Sequence, residues 1–197
     1  MRVNAVIFDL DGTLTEPVLD FDTIRSEMDL PPESTDILAA IEAMPPARQK
    51  KAHAILARHE SHAAQNSRLN DGVTELLSEL RRRKIPIGLL TRNTRENTLY
   101  VAHCHQLYFD GIVARQDGPA KPDAYGVLEL CRQFHSTPAE TIVVGDFLHD
   151  LLAAHNAGAI AVLIETHPKA DHYRAHADYS ISHMSELPGI ITKLEQE

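Results

Sequence analysis

Two cysteines in 197 residues, Cys104 and Cys131, exclude a disulfide framework, and their separation excludes a CxxC redox or zinc pattern. Both read as free thiols of a reducing compartment. Long apolar runs are also missing. The longest uncharged apolar stretch, Leu151 to Ile164, has 14 residues and contains His155 and Asn156, whereas a spanning helix needs about 20. Asp9 interrupts the first apolar stretch and no basic segment leads into a long apolar one, so no secretory signal is expected. Positive charge is in deficit. Nineteen Lys and Arg against 28 Asp and Glu leave a net charge of −9, which argues against a nucleic-acid partner, whose phosphates are bound mainly by Lys and Arg. No GxGxxG, Walker-type GxxxxGK or GxSxG motif occurs, so dinucleotide, P-loop and serine-hydrolase readings lack support. No internal repeat or low-complexity tract is present either. A composition of 43% hydrophobic and 24% charged residues fits a soluble, cytoplasmic protein with one domain, or one domain plus a modest insertion.

From Asp71 onward, apolar strands alternate with amphipathic helices. Strands are expected at Ile85–Thr91, Gly111–Ala114, Thr141–Gly145, Ile160–Ile164 and Tyr179–Ile181, with one more at Val3–Phe8. Helices are expected at Val73–Lys84, after the strand ending at Thr91 through about Cys104, at Asp123–Phe134, at Asp150–Ala157 and from about Ser185 to Glu197. This alternation indicates a parallel α/β sheet covered on both faces. Residues 16–70 break the rhythm. They are rich in helix formers, carry Pro17, Pro31-Pro32 and Pro45-Pro46, and hold no convincing strand. A helix capped by Ser34 or Thr35 and running to about Ala43, and a second at Ala47–Ser67, would form a small inserted helical subdomain.

Reactive groups in open parallel sheets gather beyond the carboxyl ends of the strands. The first strand delivers Asp9 and Asp11, two carboxylates one residue apart, which repel unless a cation or donors neutralise them. Asp11-Gly12 alone also reads as a turn dipeptide. The strand ending at Leu90 delivers Thr91-Arg92-Asn93, a hydroxyl and donors ahead of a helix N-terminus where an anion is favoured. The strand Thr141–Val144 delivers Asp146, with Asp150 one turn later, and the loop Gly118–Pro122 presents Lys121. Each member has a bland reading as cap, turn or solvated lysine. Together, three acids for a cation plus a hydroxyl and a lysine for an anion are what phosphoryl transfer requires.

DLDGTLT at Asp9–Thr15, the strand-end Thr91, Lys121 in AKPD and GDFLHD at Gly145–Asp150 resemble, in order, the four motifs of the haloacid dehalogenase superfamily. The resemblance covers essentially the whole chain and is similar in kind to phosphoglycolate-phosphatase-like members, though an insert of 55 residues is short for that group. It implies a three-layer, Rossmann-like α/β core from residues 1–15 and 71–197, with residues 16–70 as a helical cap closing over it. By the same resemblance Asp9 is the nucleophile that forms an aspartyl-phosphate, and Asp11 protonates the leaving alcohol and then activates water. Magnesium would be held by Asp9, the backbone carbonyl of Asp11 and Asp146, with Asp150 holding metal-bound water or positioning its neighbours. Thr91 and Lys121, with Arg92 and Asn93, would bind the phosphoryl group, with Lys121 also balancing the charge of Asp9.

Asp11 separates this chain from the dehalogenases, which lack a carboxylate two residues after the nucleophile, and favours a phosphatase or phosphomutase. The expected reaction is magnesium-dependent hydrolysis of a small phosphorylated metabolite by a monomer or homodimer. A phosphomutase, or a non-catalytic binding or regulatory module, are the alternatives. Lys50 and Lys51 read as a solvated helix face rather than a Schiff-base site. The spacings His172/His176 (with His167 and Asp171) and His59/His62 read as surface histidines rather than zinc sites.

Overall fold

The computed structural model describes residues 2–196. Its strands are β1 (Ala5–Phe8), β2 (Ile87–Leu90), β3 (Gly111–Val113), β4 (Thr141–Gly145), β5 (Ile160–Ile164) and β6 (Tyr179–Ile181). Its helices are α1 (Phe21–Glu27), α2 (Ile37–Glu42), α3 (Pro46–Gln65), α4 (Val73–Arg82), α5 (Arg95–Cys104), α6 (Tyr125–Phe134), α7 (Leu148–Ala157), α8 (Ala170–Tyr173) and α9 (Leu187–Gln196). Every strand pairing is parallel, in the order β3-β2-β1-β4-β5-β6. The chain builds from β1 to one edge, then crosses back to lay β4 beside β1 on the other side. The order therefore reverses between β1 and β4, and the crevice beyond the strand ends at that point is where such sheets take ligands.

β1 and β4 are buried along their whole length. Their near-continuous apolar sequences suit a sheet covered on both faces. On one face, α6 and α7 supply Val127, Leu130, Leu151 and Ala154 to a cluster with Ile7, Val143 and Leu163. Burying a side chain of this size contributes about 1.5–3 kcal/mol. Elsewhere α4 buries Leu76, Leu77 and Leu80 at helical spacing and ends on Arg81 and Arg82, whose charges favour a helix C-terminus. The fold is thus the expected Rossmann-like α/β class.

Boundaries differ from the sequence expectation where a single side chain takes over a backbone partner. Pro86 keeps the second strand from starting at Ile85; its carbonyl accepts from Val6 N at 3.0 Å, and Ile87 N turns to the Asp110 carboxylate at 2.8 Å. Asp123 Oδ1 accepts from Tyr125 N at 2.8 Å in the turn ahead of α6, and that helix starts at Tyr125 with Ala124 at its N-cap. The seventh helix starts at Leu148, two residues before Asp150. The last helix is preceded by a tight turn at Met184–Glu186, and the expected end at Glu197 lies outside the described residues. No helix among the described residues is long and apolar enough to cross a membrane. Cys104 is exposed and Cys131 buried, and both are free thiols.

The chain divides into two compact units, one of residues up to Pro17 and from Arg68 onward, the other Val18–Ser67. The second unit holds α1 to α3 around its own apolar cluster of Ile24, Met28, Ile37, Ile41, Ile55 and Leu56. Its first helix has no counterpart in the sequence reading. It is seven residues long and is started by Asp20, whose carboxylate accepts from Asp22 N and Thr23 N. The next helix is capped by Asp36 rather than Ser34 or Thr35, with Asp36 Oδ1 accepting from Ala39 N at 3.1 Å. Pro46 opens α3 at the position where a missing N–H is no loss.

Candidate active site

The carboxyl ends of β1, β2 and β4 bring one ammonium and three carboxylates together. Lys121 Nζ lies 2.5 Å from Asp9 Oδ1 and 2.5 Å from Asp150 Oδ1, and donates to the Leu90 carbonyl at 2.8 Å. These three acceptors use all three N–H bonds of the ammonium. A lysine that the sequence alone would leave in solvent is 4% exposed. Burial by itself lowers its pKa, but the Asp150 and Asp9 carboxylates outweigh burial and hold it above the ordinary lysine range. Lys121 is therefore a fixed cation. Asp150 also caps α7, accepting from Phe147 N at 3.1 Å through Oδ2. Gly145 makes this approach possible, since a Cβ there would stand 2.2 Å from Asp150 Cβ.

Asp9, Asp146 and Asp150 are all buried, and each offers an oxygen within 4.8 Å of the other two. Burial raises the Asp9 carboxyl, Lys121 pulls it down, Asp150 and Asp11 push it up, and the balance is about 7. Asp146 stands well above the carboxylate range because of burial and then the Asp150 and Asp9 charges. One ammonium does not neutralise three buried carboxylates, and the site is short of positive charge. A hard dication with oxygen ligands fits this donor set. Asp11 is not one of the clustered side chains: its Oδ2 accepts from Asn93 Nδ2 at 2.9 Å. Burial raises the Asp11 carboxyl, although Asn93, Lys121 and Arg115 act in the opposite direction.

The segment after β2 divides its work. Thr91 is buried, and its Oγ1 accepts from Asn93 N at 3.0 Å. Arg92 turns its guanidinium to the ring of His149, and its carbonyl accepts from Arg115 Nε at 2.6 Å. Asn93 faces Asp11 rather than open space. His149 itself stacks edge-on to Phe147, which also meets His167 and Tyr173. His172 and His176 are exposed and belong to no metal-capable group among the described residues, while His59 pairs with Glu27.

Several residues that shape the site carry weak sequence signals. Thr13 Oγ1 donates to Asp146 Oδ1 at 3.3 Å. Asn70 Nδ2 donates to the carbonyls of Gly12, Thr13 and Thr15 at 3.2, 2.7 and 3.0 Å, tying down the loop after Asp11. Thr166 Oγ1 adds a bond to Gly12 O at 2.5 Å. Gly12 and Thr13 were legible as the DGT triplet. Asn70 and Thr166 lie far away in sequence in unpatterned segments, and only the fold brings them near.

Gly12 has φ +88°, and a Cβ there would sit 2.4 Å from Asp146 Oδ2. Gly12→Ala is therefore expected to lose about 1–3 kcal/mol from the backbone alone, with more from displacing Asp146. Chemical denaturation measures it, and a variant within 0.5 kcal/mol of the parent, the ordinary range of a surface substitution, would contradict this account.

A sequence profile of the haloacid dehalogenase-like hydrolase family matches residues 3–158. A haloacid dehalogenase-like hydrolase domain-containing protein of Arabidopsis thaliana is 33% identical over 175 residues, spanning 83% of this chain and 71% of that protein. A phosphoglycolate phosphatase of Chromobacterium violaceum is 27% identical over 212 residues, spanning 94% of this chain and 95% of its own. Among solved structures, a hydrolase from Pseudomonas syringae superposes with a TM-score of 0.81 over 96% of this chain and 98% of its own, at 19% identity, a likeness of fold alone. By sequence, the chain belongs to the haloacid dehalogenase-like hydrolase family.

Proposed function

We propose that this protein is a magnesium-dependent phosphatase for a small phosphomonoester, working through an aspartyl-phosphate on Asp9. The observation that carries the reading is the buried Asp9–Lys121–Asp150 arrangement with a second carboxylate, Asp11, two residues beyond Asp9. Asp9 is the attacking group. As one of its oxygens bonds to phosphorus, the ester P–O bond breaks and its electron pair goes to the alcohol oxygen, which takes the proton of Asp11. Asp11, now a carboxylate, removes a proton from the water that attacks phosphorus. The Asp9–phosphorus bond then breaks, returning its electron pair to the carboxylate and releasing inorganic phosphate.

Lys121 balances the charge of Asp9 and Asp150 while the nucleophile is ionised. Thr91, whose oxygen already accepts from Asn93 N, would meet a phosphoryl oxygen as a donor. Asp9 and Asp146, with Asp150 beside them and the Asp11 carbonyl, would hold magnesium, whose positive charge supplies what the three carboxylates lack. The phosphatase named among the relatives of this chain supports the same class of substrate, a small phosphorylated metabolite. The helical segment 16–70 is the part this reading assigns as the cap.

The test is phosphate release from a panel of phosphomonoesters in magnesium and in EDTA. Turnover in magnesium that EDTA abolishes and restored magnesium recovers is the expected result. Turnover that survives EDTA would overturn the metal assignment. Interconversion of hexose phosphates without phosphate release would make the protein a phosphomutase.

A further inference from the structure

We propose that Asn93 is the positioning residue that holds the Asp11 carboxyl for proton transfer to the leaving oxygen, an inference that rests on the acid–base reading of Asp11. Asn93 is 3% exposed, and both ends of its amide are committed. Oδ1 accepts from Thr94 N at 2.7 Å and from Asn97 Nδ2 at 3.1 Å. Nδ2 donates to Asp11 Oδ2 at 2.9 Å. Turning the amide over would set its N–H groups against two donors and its oxygen against a carboxylate, so its partners fix the orientation.

The support behind it is rigid. Thr94 caps α5 and Asn97 sits in the first turn of that helix. The Asn93 backbone is pinned on both sides, its N–H to Thr91 Oγ1 at 3.0 Å and its carbonyl to Arg115 N at 3.1 Å. Asn93 thus joins the phosphoryl-side hydroxyl of Thr91 to the carboxyl group of Asp11 through one short segment.

The chemistry of the donor matters as much as its place. A neutral amide N–H bonds the acid and the carboxylate alike, whereas an ammonium at this position would hold Asp11 ionised. Because Nδ2 occupies Oδ2, the proton of the acid form resides on Oδ1. Asn93 therefore selects which oxygen of Asp11 delivers the proton to the alcohol and later takes one from water. A misdirected carboxyl group would matter little for an ester with an acidic leaving group and greatly for one whose oxygen needs the proton.

The experiment compares kcat/KM of the full chain in magnesium for phenyl phosphate and p-nitrophenyl phosphate, which share a ring and differ in leaving-group acidity. Asn93→Ala is expected to lower kcat/KM about 10–100-fold for phenyl phosphate but only about threefold for p-nitrophenyl phosphate, since positioned proton transfer contributes roughly 10²–10⁴. Asp11→Asn, run alongside, is expected to show the same selectivity in larger measure. Selective loss in Asp11→Asn with equal losses on both esters in Asn93→Ala would overturn the proposal alone. Equal losses in both variants would remove the acid–base reading of Asp11 and the proposal with it. If Asn93→Ala does not fold, Asn97→Ala carries the test: a selective loss of about threefold supports the proposal, and an unselective one overturns it.

Discussion

Asp9→Asn is expected to lower phosphate release by about 10⁴-fold or more while the protein stays folded. An amide has no carboxylate lone pair with which to form the acyl-phosphate, and removing the nucleophile of a covalent mechanism costs this order of rate. The substitution keeps an acceptor for Lys121, so the buried ammonium retains its three partners. Stability in EDTA should move the opposite way to activity. Asp9 titrates at about 7 in the folded protein against 3.8 ordinarily. Between those values the folded state holds a proton that the unfolded chain has released, so stability falls as pH rises. Asp9→Asn lacks that loss, and its advantage over the parent should grow from about pH 4 to about pH 7. Denaturation at several pH values, beside a p-nitrophenyl phosphate assay, reads both effects. A variant that turns over at a tenth of the parent rate would end the nucleophile assignment.

The core of the fold was legible because parallel strands buried on both faces leave a strong signal, as in TIVVG at Thr141–Gly145 and IAVLI at Ile160–Ile164. Their order in the sheet follows from the connections and could not be read from pattern. The helices Phe21–Glu27 and Ala170–Tyr173 escaped because seven and four residues are too few to display a helical period. Sequence brought Asp9, Asp146, Asp150 and Lys121 to one sheet edge, and the family resemblance implied that Lys121 balances Asp9, but its second ion pair, with Asp150, was not legible. Lys121 in a proline-flanked loop looks solvated; only the fold buries it between Asp9 and Asp150. Asn93 shows the limit most clearly. A polar residue ahead of a helix reads as a donor for an anion, and its commitment to Asp11, 82 residues earlier, depends on contacts no local pattern contains.

Lys121→Met should be the most destabilising single change at the site. Methionine fills the volume of the lysine stem but leaves Asp9, Asp146 and Asp150 with no ammonium among them. Removing one partner of a buried ion pair costs about 3–5 kcal/mol, because the remaining charge stays buried. For a chain of this size that is a Tm lower by roughly 6–20 °C, at about 2–4 °C per kcal/mol. Two further measurements distinguish charge imbalance from lost packing. Adding Asp150→Asn to Lys121→Met removes one of the stranded carboxylates, so the double variant should be more stable than Lys121→Met alone. Magnesium should also raise the Tm of Lys121→Met more than that of the double variant, since the dication answers the same excess of negative charge. A loss below about 1 kcal/mol, within the range of exposed ion pairs, would mean that the carboxylates protonate instead of remaining charged, and Lys121 would then not be the group that keeps Asp9 ready to attack.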